Sequence, residues 1–242
     1  MKKIYIDPGH GGADSGAEAF GIKEKEQVLK VGLFLAEALE RNGYDVMMSR
    51  RADAKKNLAD RCKEANTWGA EAVVSLHMNW SESSAAKGTE TYIVARGGKA
   101  EKLAESVHKE LVRELVLVDR KVKEASFVIL KNTEAPAVLC ELGFLTNAEE
   151  CAFLTKESTH RRAAEAICRG ICRFDGKEYK AMEKPRYKDE KDIPAWAKDA
   201  VERVAEAGLM LGHDDGTFKP NEPLTRAQMA VILDRLEMLG EK

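Results

Sequence analysis

Four side chains of the kind that bind metals or move protons stand at or inside apolar runs. His10 lies in Asp7-Pro8-Gly9-His10-Gly11-Gly12, directly after Ile4-Tyr5-Ile6. Glycines there let the backbone turn tightly at a strand's C-terminal end and leave the ring projecting into a crevice. His77 closes another apolar run, Val73-Val74-Ser75-Leu76-His77-Met78-Asn79. Glu24 begins an amphipathic stretch, and Glu141 interrupts Ala137-Val138-Leu139-Cys140-Glu141-Leu142-Gly143-Phe144-Leu145. Taken singly, three of them have plain structural readings. His10 could be a polar loop residue, His77 a hydrogen-bonded core histidine, and Glu24 a first-turn carboxylate that complements the helix dipole. Glu141 resists such a reading, because a carboxylate buried unpaired costs several kcal/mol.

Taken together, they describe a chemistry. Two neutral imidazoles and one carboxylate form the His2Glu donor set that holds a catalytic zinc and leaves a fourth position for water. The metal lowers that water's pKa towards about 7 and polarises a carbonyl, while a further acidic group takes the proton, which suffices to hydrolyse an amide near neutral pH.

Such a site needs a scaffold that brings strand ends together. Short β-branched runs at Lys3–Ile6, Val46–Ser49, Ala72–His77, Glu90–Val94, Ser126–Leu130 and Ala137–Glu141 read as strands. Amphipathic helices alternate with them. From Glu24, the residues Val28, Val31, Leu35 and Leu39 recur at three- and four-residue steps, and Asn42-Gly43 supplies the stop. Alternation of this kind predicts an α/β fold, a sheet with helices on both faces.

A length of 242 residues suits one core of about 170 residues plus a small appendage. With 39 basic and 41 acidic side chains the formal charge is only −2, which argues against nucleic acid or an anionic membrane as partner and leaves function to a local site. No stretch approaches the roughly 18 apolar residues of a membrane span. Met1-Lys2-Lys3 runs directly into Ile4-Tyr5-Ile6-Asp7, without a basic-then-apolar leader. The five cysteines lack paired C-x-x-C spacing and read as reduced thiols, with Cys168 and Cys172 one turn apart on a buried helix face.

Several separated segments carry a resemblance. They are Asp7-Pro8-Gly9-His10-Gly11-Gly12 with Asp14 and Gly16-Ala17, Lys23-Glu24-Lys25, Ser49-Arg50 with Asp53, and Arg61 with Ala65-Asn66. Ser75-Leu76-His77-Met78-Asn79, Gly88 with Glu90, and Pro136 through Asn147 complete the set. In this order and spacing the chain resembles the amidase-3 family of cell-wall hydrolases over about residues 2–174. The resemblance implies a mixed sheet of about six strands, zinc held by His10, Glu24 and His77, and Glu141 as the general base. It also implies cleavage of the amide between N-acetylmuramic acid and L-alanine in peptidoglycan. The departures are Glu26 where the family often has aspartate, Gln27-Val28-Leu29 for a Val-Asn-Leu-like run, and Cys140 for a commoner valine or threonine; none removes a ligand. Arg50 and Arg61 read as loop anchors pairing with Asp53 and neighbouring carbonyls, with substrate contact as the alternative for each. Asn79, two residues beyond His77, reads as support for the ligands, as a substrate contact or as a plain loop residue.

After Phe174 the sequence turns polar, giving a catalytic domain over 1–175, a linker over 176–186 and a small module over 187–242. The module reads as helix, loop, helix. Trp196, Ala200 and Val204 form a face of the first helix, which ends at Gly208, and Gly212 to Asn221 form a turn-rich loop. Thr225-Arg226-Ala227-Gln228 is a capping box ahead of the stripe Met229, Ile232, Leu233 and Leu236. The Asp-Asp-Gly turn lacks the alternating ligands and closing glutamate of a calcium-binding loop. The segment resembles one S-layer homology motif, which implies attachment to a secondary cell-wall polymer, with Arg226 as the residue that holds an anionic sugar. Such motifs usually come in threes; with a single copy, either three chains supply the three copies, with a homotrimer as the expected form, or one copy binds weakly, or it serves only stability or assembly.

The expected function is thus a zinc-dependent amidase made in the cytoplasm without a signal peptide, acting on the wall after release as an endolysin or by mother-cell lysis. The competing readings are a wall-binding protein without catalysis and a zinc peptidase acting within the stem peptide.

Overall fold

Short, fully buried runs of Ile, Val and Leu build the centre of a six-stranded sheet in the computed structural model, which describes residues 2–182, 187–206, 209–210, 212–213 and 215–236. In chain order the elements of the first part are β1 (Lys3–Pro8), β2 (Glu18–Ala19), β3 (Ile22–Lys23), α1 (Glu24–Arg41), β4 (Asp45–Met48), α2 (Leu58–Trp68) and β5 (Ala72–Asn79). They continue with β6 (Thr89–Ile93), α3 (Lys99–Leu115), β7 (Asp119–Glu124), α4 (Val128–Lys131), β8 (Ala137–Phe144), α5 (Ala148–Leu154) and α6 (Glu157–Phe174).

The strand order is β4-β1-β5-β8-β6-β7, and β2 and β3 form a separate two-stranded ribbon. Within the six-stranded sheet all pairings are parallel except β6 with β8, so that sheet is mixed. Helices α1, α3 and α6 cover one face, where Val28, Val31, Leu35 and Leu39 of α1 are fully buried, as their spacing predicts. On the opposite face α2 and α4 bury Cys62, Ala65, Ile129 and Leu130 against Tyr5, Val73 and Leu139. All five cysteines are buried and free, with Cys168 and Cys172 in the larger core.

One expectation is corrected. The run Ser126–Leu130 is no strand: its apolar part winds into α4, and the sheet's edge is β7, Asp-Arg-Lys-Val-Lys-Glu. An edge strand pairs on one side only and here stays largely exposed, so its sequence carries no apolar signal. Ile129 and Leu130 are apolar because one short helical turn packs them onto the smaller core. The β2–β3 ribbon also lay below the sequence signal, being two residues per strand.

The chain divides into two compact units, Met1–Ala181 and Met182–Lys242. Tyr179 and Lys180, within the expected linker, are tied to the first unit: Lys180 donates its amide to Asn42 Oδ1 at 2.6 Å and accepts from Asn42 Nδ2 at 3.0 Å. The second unit holds α7 (Lys198–Glu206) and α8 (Arg226–Arg235). Here a further correction applies. Trp196 lies ahead of α7 in a short 3-10 turn and is 86% exposed, Ala200 is exposed, and the buried residues of α7 are Val201 and Ala205. The expected helix stop at Gly208 and the loop residue Asp214 lie outside the described residues. The loop that follows is organised by Asp189, whose carboxylate accepts from the amides of Phe218 and Lys219, each at 2.8 Å. Thr225 and Gln228 form the expected capping box.

Candidate metal centre

The parallel order β1-β5-β8 sets the ends of three strands side by side at the centre of the sheet. His10 follows β1, His77 lies near the end of β5, and Glu141 sits opposite His77 in the β5–β8 register. Glu24 is the first residue of α1, delivered there by the β2–β3 ribbon. The four residues expected from the sequence therefore converge.

His10, Glu24 and His77 each offer a ligand atom within 4.8 Å of the others. Glu24 bridges the two histidines, with Oε2 3.1 Å from His10 Nε2 and Oε1 2.9 Å from His77 Nδ1. The backbone fixes this carboxylate as well: Ala17 N donates to Oε2 at 2.8 Å and Met78 N to Oε1 at 3.0 Å. The rings of His10 and His77 meet edge to face with centroids 5.0 Å apart.

Close packing holds this geometry. A Cβ added at Gly9 would lie 2.3 Å from His77 Cε1, and one at Gly16, whose φ is +69°, would lie 2.5 Å from Glu24 Oε2. His10 itself has φ 60°, a left-handed conformation that non-glycine residues rarely adopt and that turns its ring to the site. Asp14 accepts from Gly16 N at 3.1 Å and lies 3.0 Å from His10 Nδ1, so it orients the ring through the nitrogen turned away from Glu24. The sequence reading assigned Asp14 no such role; its four-residue distance from His10 within a glycine-rich turn was the available signal.

The charges are strongly coupled. Burial opposes ionisation of Glu24, but its bonds to the histidines hold its carboxyl far below the usual range. Burial likewise works against charge on His77, and Glu24 outweighs it to carry the ring up to about 9. Glu141 goes the other way. Burial pushes its carboxyl up to about 7, the charge of His77 only partly offsetting this, and its Oε2 is a buried oxygen without a hydrogen-bond partner. A carboxyl poised near neutrality is what a general base requires.

Arg50 and Arg61 are both buried anchors bonded to neighbouring carbonyls, as expected, but neither pairs with Asp53. Arg50 donates to the carbonyls of Pro8, Gly9 and Lys25 at 3.0, 2.7 and 2.7 Å. Asp53 instead takes Gly12 N at 2.7 Å and Lys25 Nζ at 2.6 Å. Arg61 pairs with Asp7 at 2.6 Å and donates to His10 O at 2.6 Å, clamping the turn that carries the first histidine. Asn79 gives its amide to Glu90 Oε1 at 2.6 Å and accepts from Trp80 N at 2.9 Å, so its side chain is held by the protein. Glu90 is buried and ionised: against the cost of burial, Lys123, Arg120 and Tyr92 hold its carboxyl down at about 2. Arg226 belongs to the second unit and is exposed at the start of α8.

Two grooves open from the centre. One is lined by Glu18, Met78, Asn79 and Trp80, the other by Lys55, Lys56, Leu58, Phe127 and Val128, and both contain His10, His77 and Glu141. Among the described residues no helix is long and apolar enough to cross a membrane.

The chain is similar to known proteins in both of its parts. Residues 186–230 match the S-layer homology domain. The N-acetylmuramoyl-L-alanine amidase CwlM of Bacillus licheniformis is 35% identical over 176 residues, covering 72% of this chain and 68% of that protein. The endolysin of Bacillus phage SPP1 is 34% identical over 242 residues, spanning 97% of this chain and 88% of that one. Among solved structures, the catalytic domain of the amidase CwlV from Bacillus (Paenibacillus) polymyxa var. colistinus superposes with a TM-score of 0.70 at 35% identity, covering 74% of this chain and 100% of that domain. Because the match to the family's sequence pattern takes in residues 4–173, nearly the whole sheet together with His10, Glu24 and His77, the chain belongs to the N-acetylmuramoyl-L-alanine amidase family.

Proposed function

We propose that the chain is a zinc-dependent amidase that detaches stem peptides from the muramic acid of peptidoglycan, with its catalytic domain over about 1–175. The observation that carries this reading is the convergence of His10, Glu24 and His77 on one point, with Glu141 in the adjacent strand beside them. The donor set suits the metal: two imidazoles and a carboxylate whose ligand atoms lie within 4.8 Å of one another would hold it, with an unpartnered buried carboxylate oxygen alongside. When bound there, zinc supplies a water of lowered pKa and a Lewis acid for the scissile carbonyl.

The protein's own groups do the rest. Asp14 fixes the ring of His10 through Nδ1, and Glu24 is locked by two backbone amides, so the ligands are oriented before any metal arrives. Glu141 accepts the proton of the attacking water and returns it to the nitrogen of L-alanine as the carbon–nitrogen bond breaks. Its buried position keeps it protonatable near neutral pH, so it can serve both steps.

The test combines metal analysis with product identification on purified wall. One zinc per chain, loss of activity on chelation, and products with free muramic lactyl groups and new N-terminal L-alanine are expected. Intact stems would leave only a wall-binding protein, and cuts within the stem would make it a peptidase.

The match of residues 186–230 supports wall attachment through the second unit, with Arg226 facing solvent as a contact for an anionic polymer. Met229, Leu233 and Leu236 are each at least 38% exposed, which supports self-association of α8, with a homotrimer as the simplest closed form.

A further inference from the structure

Of the two grooves that meet at the metal centre, only one presents cations. Its volume is about 570 Å³, within the roughly 300–1,000 Å³ of ordinary ligand sites. Leu58, Phe127 and Val128 give it an apolar wall, and each is exposed although apolar. Three cationic side chains line it. Arg61 is buried in its ion pair with Asp7, and Lys56 is paired with Glu64 at 2.7 Å. Lys55 is exposed and has no carboxylate partner among the described residues. It is held at the groove by the glycine turn: a Cβ on Gly12, whose φ is +61°, would lie 2.9 Å from Lys55 Cβ.

The opposite groove differs in every respect that matters to a ligand. No Lys or Arg is among its lining residues, Glu18 adds negative charge, and Trp80 offers an indole that is 53% exposed. An anionic chain is repelled there, whereas the apolar face of a neutral sugar can stack on the ring.

Peptidoglycan has a matching asymmetry about the scissile amide. One side is glycan. On the other, L-alanine is followed by a D-glutamyl residue joined through its side chain, which leaves its α-carboxylate free or amidated. We infer that the Lys55 groove receives the stem peptide, and that Lys55 is a specificity residue that binds the free α-carboxylate of the second stem residue. This rests on the amidase reading above. Leu58, Phe127 and Val128 then contact the apolar parts of the stem, and the Trp80 groove is left to the glycan.

The experiment uses the full chain with two soluble muramoyl peptides that differ only in that carboxylate, free or amidated, and follows release of N-terminal L-alanine. Because the pair is solvent-exposed, Lys55→Ala should raise KM for the free-acid substrate by about threefold to fivefold. It should leave kcat for that substrate, and both parameters for the amidated one, near the parent values. Lys55→Arg should restore the free-acid KM, and added salt should weaken only the free-acid substrate. Equal effects of Lys55→Ala on both substrates, or no effect on either, would overturn the assignment. If the parent protein releases no L-alanine from either substrate, it is the amidase reading that fails instead.

Discussion

Glu141 and Glu24 show how the same side chain takes opposite roles from its surroundings. Glu24 is buried yet ionised, because two imidazoles and two backbone amides surround its oxygens. Glu141 is one strand away and lacks a hydrogen-bond partner for Oε2, so burial raises it to about 7. The first is thereby suited to hold a cation, the second to carry a proton. Replacing Glu141 by Gln should keep the fold and one zinc per chain while lowering kcat by about 10²-fold or more. Metal content measured on the same sample as the rate separates the outcomes: loss of zinc would make Glu141 a ligand, and a near-normal rate would remove it from the chemistry.

Helix α6 carries a titratable group of another sort. His160 is 1% exposed, and burial, with the nearby charge of Lys30, pushes its ring down to about 4. Unfolded, the ring titrates near 6.5. Between these values the unfolded chain binds a proton that the native protein refuses, so stability falls as pH drops from about 6.5 towards 4 and is fully present above 6.5. The loss from this one residue should reach about 2 kcal/mol by pH 5. Urea unfolding of the parent and of His160→Leu at pH 7 and pH 5 checks it. The variant should lose less stability between the two pH values, and equal slopes would show that His160 titrates normally in the fold.

At the scale of the whole molecule, the two units differ in how well each covers its apolar surface. The first buries two continuous cores on either face of its sheet, while α8 of the second leaves Met229, Val231, Leu233 and Leu236 exposed. Large apolar side chains clustered on one short helix favour association. The full chain should therefore be oligomeric by light scattering at micromolar concentration, and a chain ending near Ala181 should be monomeric. A monomeric full chain would leave α8 without the expected role.

The sequence by itself determined which four side chains converge, His10, Glu24, His77 and Glu141, and most of the strands, because these sit where chemistry and burial leave few alternatives. Glycines around His10, a carboxylate inside the apolar run of β8, and the three- and four-residue period of α1 are all local signals. Even there, the helix face was legible only where burial was deep: Val28, Val31, Leu35 and Leu39 are enclosed, whereas Trp196 of the small unit is not. The partners of Arg50, Arg61, Asn79 and Glu90 were decided by tertiary structure alone. Asp7 and Arg61 are 54 residues apart, and Lys123 and Glu90 are 33 apart, so no spacing could pair them. The same holds for β7, whose polar sequence becomes a strand only because β6 offers it an unpaired edge. A side chain's type is local, but what neutralises a buried charge depends on which distant segment the fold brings within hydrogen-bonding distance.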